Sequence, residues 1–600
     1  MTALPFMIVA LCVLALAYRY YSAFLITKVF VADASRQTPA HQYYDGQNYY
    51  PTTKWVLFGH HFAAIAGAGP LIGPVIAAQF GFFPGFIWIL IGCVLAGGVH
   101  DLVILHSSVR RKGMSIAEIA KQEISPFAGL VTSVAILFII VIALAGLGTV
   151  VVNALSESSW GTFTIAGTIP IALFIGWYMY VFRKGRIAEA SIMGVVAVIL
   201  VVVAGRWIPQ SQFAGWFTYS RQGITLWLAA YGFIASVLPV WLLLAPRDYL
   251  SSYMKIGTIA FLVFGVIIVN PQIHMPAFTQ FVHGGGPIMK GPLFPFLFIT
   301  IACGAVSGFH ALVSSGTTPK MLNSEADLRP IGYGAMLVEG LVGITSLIAA
   351  CALYPGDYFA INSPAQVFST LGMTTQNLPE LANRIGETLQ GRAGGAVSLA
   401  VGMAQIFSGI PGMSGLMSYW YHFAIMFEAL FILTTIDAGT RIGRFLLQEF
   451  LGKIHPAFGK HDWVWGSTIT TAVIVFGWSY FIWTGNISTV WPMFGIANQL
   501  LACAALAVGS TVLINGGKAR YAWVTVIPMI FISITTLTAG FESIDSIFRP
   551  LSRTPGKELI GTLNECLTWF MMACIVLIIL DAVRQWIKVW RTGVVSVQHT

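Results

Sequence analysis

The chain has 600 residues, of which 57% are hydrophobic and only 9% are charged, whereas soluble domains carry roughly 25% charged residues. This composition excludes an ordinary soluble protein and predicts a polytopic membrane protein. The net charge of +9 does not indicate nucleic-acid binding, because the basic residues stand between apolar runs and form no patch or arm.

Apolar runs long enough to cross about 30 Å of hydrocarbon recur along the whole chain. The first run contains Arg19 and follows no basic leader, so we expect a retained span and not a removed signal peptide. The sequence therefore predicts an all-α polytopic membrane protein. The predicted spans are 3–28, 56–80, 85–107, 126–153, 161–182, 187–205, 223–246, 256–270, 292–314, 331–353, 395–412, 417–436, 464–484, 487–514, 521–540 and 563–583.

Basic residues indicate which connections are cytoplasmic. Clusters at 110–112, 183–186, 247–255 and 320–329 fall on alternate connections, and the positive-inside rule places all four in the cytoplasm. The loop 31–55 is then also inside, and the N-terminus is outside.

The crossing count after residue 395 is ambiguous. Two full crossings within 395–436 would place the basic residues of 441–460 outside, whereas a re-entrant element at 411–415 would leave one net crossing. We expect the second arrangement, with about 15 crossings and a cytoplasmic C-terminus.

A cluster of helix-breaking residues interrupts the second predicted span, within the segment 54–74. Proline removes a backbone donor, and unwound backbone is tolerated in a membrane only where it is buried in protein or lines a cavity. Many secondary transporters build substrate sites from such discontinuous helices. We therefore predict that Gly67, Ala68 and Gly69 bind substrate through backbone groups. The helix-breaking residues are Gly67, Gly69, Pro70, Gly73 and Pro74.

A second candidate break lies at 231–241, five spans after the first, and contains Gly232 and Pro239. Five spans reverse the crossing direction, so the two breaks would run antiparallel, as in an inverted repeat with paired discontinuous helices. A single proline in a membrane helix is also common as a simple kink. Both interpretations remain open at this point.

Four polar residues near the end of the ninth predicted span would share one face of a continuous helix. At 100° per residue, they fall within about 80° of one another. Such residues either join helices or line a pathway, and four of them, including an imidazole, exceed what helix association needs. We therefore predict that His310 and Ser314 bind substrate. The four residues are Ser307, His310, Ser314 and Thr318.

Titratable residues inside the predicted spans are candidates for carrying a coupling proton, because an imidazole or a desolvated carboxyl can change charge within a cycle. The alternative for each is a structural role, in which a histidine bonds a carbonyl or an acid pairs with a base. The candidates are His60, His61, Asp101, Glu339 and Glu428.

Neither a metal, nor a cofactor, nor an enzymatic activity is predicted. His100 and His106 do not converge on one helix face, and the seven cysteines lack ligand spacing. The chain contains no phosphate loop, nucleophile elbow or zinc-protease motif.

Four long segments resemble the carbon starvation protein A family of bacterial inner-membrane carriers. They occur in order and make the resemblance specific over about residues 25–515. The segments are DGQNYYPTTKWVLFGHHFAAIAGAGP at 45–70, SGFHALVSSGTTPK at 307–320, FEALFILTTIDAGTR at 427–441 and WPMFGIANQ at 491–499.

The resemblance implies uptake of peptides or pyruvate across the inner (plasma) membrane, and a link to carbon starvation. It also implies kinship with the amino acid–polyamine–organocation carriers, whose core is two inverted five-helix repeats. On that basis we expect an N-terminal helix and cytoplasmic loop at 1–55, an inverted-repeat transport core with discontinuous helices at 56–415, and additional C-terminal transmembrane helices at 416–600.

The resulting hypothesis is a secondary active transporter driven by a cation gradient, with protons as the coupling ion. Its expected partners are a small-molecule substrate, the coupling cation and the lipid bilayer, but not nucleic acid. One alternative is sodium coupling, with the ion held by Ala66, Ser314 and Ser315. Broken helices would also suit a channel, or a membrane nutrient sensor that binds its ligand without transporting it.

Overall fold

The structure, a computed structural model, describes residues 1–46, 49–183, 187–238, 244–452, 455–458 and 463–593. Within these residues the secondary structure is helical apart from two isolated β-bridges. Ten helices of the described chain are long and apolar enough to cross a membrane, or eleven with one bent pair counted as a single span. The predicted all-α polytopic membrane protein is thereby confirmed.

The helices follow the predicted apolar runs closely. We number them α1 (Ala3–Phe30), α2 (Lys54–Ile65), α3 (Gly69–Phe80), α4 (Phe82–Val109), α5 (Pro126–Leu155), α6 (Ser159–Trp177), α7 (Ile187–Gly205), α8 (Arg221–Val237), α9 (Leu244–Val269), α10 (Leu293–Thr300), α11 (Phe309–Gly316), α12 (Glu325–Cys351), α13 (Ala396–Ser408), α14 (Met417–Gly452), α15 (Val464–Thr484), α16 (Ile487–Asn515), α17 (Trp523–Ser552) and α18 (Glu558–Thr592). Shorter helices in the connections are Pro39–Gln42, Ile116–Glu123, Ala214–Phe217, Pro355–Asn362, Ala365–Ser369 and Leu378–Ile385.

Helix α16 lies at the centre of the bundle, and its most apolar 18-residue window is entirely buried. Small residues let neighbouring backbones approach it: a Cβ added at Gly495 would lie 2.2 Å from the carbonyl oxygen of Ile299. Close backbone packing of this kind is typical of membrane helices, which cannot rely on the hydrophobic effect against lipid. By contrast, α1 and α18 are largely exposed in their most apolar windows and lie at the periphery.

The contacts of α14 agree with one net crossing after residue 395. Near its start, Tyr419 accepts a hydrogen bond from Arg206, and toward its end Arg441 donates to the carbonyls of Ala235 and Leu238. Arg206 directly follows α7, and Ala235 and Leu238 lie at the end of α8. The charge pattern places these two helix ends on opposite sides of the membrane. Helix α13 has 13 residues, or about 20 Å, which is too short for a full crossing.

Two expectations about the middle of the chain are wrong, and a third falls partly outside the described residues. The segment 247–255 is not a cytoplasmic connection but part of α9, where Arg247 and Lys255 are buried. The ninth span is not one continuous helix, because α10 ends at Thr300 and α11 begins at Phe309. The described part of 231–241 belongs to α8, which ends at Val237, and positions 239–241 lie outside the described residues. We call the interruption at 301–308, between α10 and α11, the second break.

Candidate functional site

The first predicted break is present between α2 and α3, which meet at a bend of 45°. Ala66, Gly67 and Ala68 connect the two half-helices, and Pro70 stands in the first turn of α3, where its missing N–H costs nothing. Ala66, Ala68 and the neighbouring glycines are buried. Local sequence chemistry thus produces this interruption, as predicted.

The second break crosses the first. A Cβ added at Gly69 would lie 2.2 Å from Cys303 Sγ, and one added at Gly73 would lie 2.6 Å from the carbonyl oxygen of Thr300. A Cβ at Gly67 would lie 3.0 Å from Thr435 Oγ1 of α14. A larger side chain at Gly69 or Gly73 would push the two interruptions apart, and one at Gly67 would crowd Thr435 of α14.

Asn498 of α16 holds the second break in place. Its Oδ1 accepts hydrogen bonds from Ser307 Oγ at 3.1 Å and from the backbone N–H of Phe309 at 2.9 Å. The second bond satisfies one of the N–H groups that a helix N-terminus leaves without an intrahelical partner. A side chain of another helix therefore stabilises the start of α11.

A buried network of histidines and carboxyls lies where α11 packs against α4 and α12. His310 Nδ1 is 2.9 Å from Asp101 Oδ2, and His310 Nε2 is 3.0 Å from Glu339 Oε2. His100 Nδ1 lies 2.7 Å from the other oxygen of Asp101. All four side chains have zero exposure. We call Asp101, His310 and Glu339 the central triad.

The triad geometry makes one imidazole face two carboxyls. An imidazolium donates from both nitrogens, whereas a neutral imidazole donates from only one. Removal of one proton from the triad therefore changes the contact of His310 with either Asp101 or Glu339. Such an arrangement can store and transfer a proton away from water.

The four residues of the predicted polar stripe are buried, but each has a different environment. His310 joins the triad, Ser307 bonds Asn498, and Thr318 Oγ1 is 2.8 Å from His61 Nδ1. Ser314 Oγ has no hydrogen-bond partner within the described part of the chain, although it has zero exposure.

The remaining predicted residues are dispersed around this centre. His60 is half-buried, while Glu428 of α14 is 2% exposed and neither of its carboxyl oxygens finds a partner among the described residues. Ser315 donates to the Ala311 carbonyl and accepts from the Ile116 N–H. The Ser315 hydroxyl of the sodium alternative is thus already engaged in local bonds.

Lys255 of α9 was not predicted as a site residue. Its Nζ lies 2.9 Å from the Ala63 carbonyl oxygen, 3.3 Å from that of Ala66 and 3.3 Å from Thr434 Oγ1. The ammonium group also lies 4.2 Å from the centroid of the Phe431 ring. The Ala66 carbonyl of the sodium alternative therefore already accepts a bond from a lysine.

A sequence signal for Lys255 exists in retrospect. Arg247, Ser251, Lys255 and Thr258 recur at intervals of four, four and three, and all four are buried on α9. This spacing is that of one helix face. The helical spacing was missed because the charged cluster 247–255 was assigned to a cytoplasmic loop.

A second polar cluster lies outside the spans, on the connection between Leu378–Ile385 and α13. Glu387 accepts from Ser158 Oγ at 2.5 Å and contacts His422 Nε2 at 3.1 Å and Arg392 Nη1 at 2.9 Å. Burial raises the pKa of Glu387, but the hydrogen bond and charge of His422 and the charge of Arg392 outweigh it and lower the pKa to about 2. Trp160 stacks on the His422 ring at 3.6 Å. This cluster ties the connection to α6 and α14.

Comparison with known proteins gives the family. The family model described as Carbon starvation protein CstA matches residues 2–539. A protein named peptide transporter CstA from Bacillus subtilis is 48% identical over 98% of both chains. One of the same name from Escherichia coli is 50% identical, covering 90% of this chain and 81% of that one. A protein named pyruvate/proton symporter BtsT, also from Escherichia coli, is 46% identical over 90% of this chain and 81% of that one.

The chain therefore belongs to the carbon starvation protein CstA family, and it is a multi-pass protein of the bacterial inner membrane. Among solved structures, a manganese transporter from Eremococcus coleocola aligns with 90% of this chain and 99% of its own, with 13% identity and a TM-score of 0.42. That similarity is too low to carry an argument.

Proposed function

We propose that this member of the carbon starvation protein CstA family is a secondary active transporter that imports peptides or pyruvate with protons. The observation that carries the proposal is the central triad, an imidazole between two carboxyls with no exposure to water. Ionisable groups are expensive inside a membrane and mark ion or proton pathways. The names of the relatives, which are all transporters, support transport and not enzymatic catalysis.

In this proposal, the triad couples proton movement to substrate movement. Asp101, His310 and Glu339 belong to three different helices, and His310 also belongs to one of the two broken helices. A proton that changes the bonds of His310 therefore changes the contacts that hold α11 against α4 and α12. Movement of α11 would change the crossing of the two breaks.

The substrate would bind at that crossing. Backbone groups of Gly67, Ala68 and Gly69 and the side chains of His310 and Ser314 would contact it. Pyruvate and peptides both carry a carboxylate, which the positive N-terminal ends of α3 and α11 favour. Ser314 contributes a buried hydroxyl with no partner in the described residues. Because these residues are buried in this conformation, substrate must enter through a rearrangement of the broken helices.

The test is transport by the purified protein in proteoliposomes. Labelled pyruvate and a panel of short peptides should each be tested for counterflow and for uptake driven by an inward proton gradient. We expect counterflow of at least one compound and loss of concentrative uptake when a protonophore is added. Binding without counterflow would indicate a sensor, and uptake driven by sodium at equal pH would refute proton coupling.

A further inference from the structure

We propose that the Lys255 ammonium group is this protein's own coupling cation at the first helix break. In carriers built from broken helices, the carbonyls of the unwound segment coordinate a coupling ion. Here a lysine nitrogen occupies that environment, so protonation of one amine would replace the binding of a free cation. The inference deepens the proposed function, on which it rests, by naming the group whose charge holds the break closed.

The contacts of Lys255 form a cation site. Carbonyls at the end of a helix lack intrahelical donors and stand at the negative end of the helix dipole. Ala63 and Ala66 supply two such oxygens at the end of α2, and Thr434 supplies a hydroxyl from α14, at 2.9, 3.3 and 3.3 Å from Nζ. The ring of Phe431 presents a further surface that attracts cations.

The protonation state of Lys255 decides how strongly it can bind these oxygens. An ammonium has three N–H groups, and Ala63, Ala66 and Thr434 supply oxygens within 3.3 Å of Nζ. A proton taken up from the outer side forms the third N–H bond and the positive charge, and the same proton leaves to the cytoplasm when the amine becomes neutral. The neutral amine keeps a lone pair and two N–H groups, so it holds α2, α9 and α14 together less strongly.

Several titratable groups face this region from the helices packed around α9. Glu339 of α12 interacts electrostatically with Lys255 and connects the site to the central triad. Arg247 and Asp437 approach to 3.5 Å at the interface of α9 and α14 and offset each other's charge. Other titratable or charged groups on α2 and α14 include Lys54, His60, His61, His422, Glu428, Arg441, Arg444 and Glu449.

The test compares two substitutions of Lys255, one that leaves the cation site empty and one that fills it. Lys255→Ala would empty the site and expose its three oxygens, whereas Lys255→Met fills it with an uncharged chain of similar length. The wild-type and variant proteins are purified in detergent, and melting temperatures are measured in sodium chloride and in choline chloride at pH 7. Lys121→Ala, at an exposed lysine on Ile116–Glu123, is the control.

We expect sodium to raise the melting temperature of Lys255→Ala by about 3 °C or more relative to choline, because only the folded protein binds the ion. Wild type, Lys255→Met and Lys121→Ala should respond equally to both salts. Adding Thr434→Val to Lys255→Ala should reduce the sodium response, since it removes one of the three oxygens.

A transport measurement covers the case in which Lys255→Ala does not fold. We expect Lys255→Met to lose about tenfold or more of proton-driven pyruvate uptake while retaining counterflow. Equal responses of Lys255→Ala to sodium and choline, or wild-type proton-driven uptake by Lys255→Met, would overturn the proposal. The thermal measurement needs no substrate, so it stands even if the wild-type protein transports none of the tested compounds.

Discussion

Replacement of Glu339 by glutamine tests whether the central triad carries the coupling proton. Glutamine preserves the size of the side chain but removes the carboxyl charge next to His310. His310 Nε2 and Glu339 Oε2 are 3.0 Å apart, and neither side chain is exposed. A charge-assisted contact of this kind contributes about 1.5–3 kcal/mol, which corresponds to a roughly 10- to 150-fold change in an equilibrium.

The expected result separates two activities of the same protein. Proton-driven uptake of labelled pyruvate by Glu339→Gln should fall roughly 10- to 150-fold, because the triad can no longer exchange a proton at this position. Counterflow at equal pH requires no net proton movement, so it should remain within about twofold of wild type.

Glu428→Gln is the matched control. Glu428 is also a buried membrane carboxyl, but among the described residues it forms no ion pair like the one between His310 and Glu339. Its replacement should leave proton-driven uptake nearly unchanged. Undiminished proton-driven uptake by Glu339→Gln would show that Glu339 does not carry the coupling proton. Equal loss of uptake and counterflow, with an unchanged melting temperature, would instead assign Glu339 to substrate binding.

Three further predictions concern the breaks and the outer cluster. Gly69→Ala should lower the melting temperature, since overpacking against Cys303 costs about 1–3 kcal/mol. Adding Cys303→Gly to Gly69→Ala should restore most of the loss, and a double variant as unstable as Gly69→Ala would contradict the close contact between positions 69 and 303. Asn498→Leu should lower stability by about 1–3 kcal/mol, measured by thermal unfolding, because it removes the bonds to Ser307 and to the Phe309 N–H. A melting temperature equal to that of wild type would contradict this role. Glu387→Gln should destabilise the protein by an amount that is constant above the ordinary glutamate pKa of 4.5 and shrinks as the pH falls toward 2, because the folded state depresses this pKa. The difference in melting temperature between wild type and variant is measured from pH 7 to pH 3. A difference that grows on acidification would exclude a charged Glu387 in the folded state.

The positions of the helices could be predicted from the sequence because their cause is local. The thickness of hydrocarbon sets the length of an apolar run, and every predicted run has a helical counterpart in the structure. The first break could be predicted for the same reason, since the cluster at Gly67, Gly69 and Pro70 disrupts a helix whatever surrounds it.

The interruption at 301–308 was not predicted, because its cause is not local. No proline interrupts 301–308, and the chain unwinds there against Gly69 and Gly73 of the first break, with Asn498 stabilising the start of α11. The assumption of a continuous helix still identified His310 and Ser314 as polar residues inside the protein. It could not show that the two side chains have different environments.

Local sequence pattern was enough to predict the membrane class, the approximate spans and a set of embedded ionisable residues. Which of these residues meet depends on how the helices pack. Asp101 and His310 are 209 positions apart, and the pattern around Lys255 is that of a basic loop, although its partners lie on other helices. A charge inside a membrane is tolerable only when other helices supply carbonyls, hydroxyls or opposite charges at bonding distance. Those groups come from distant parts of the chain, so local pattern cannot reveal them.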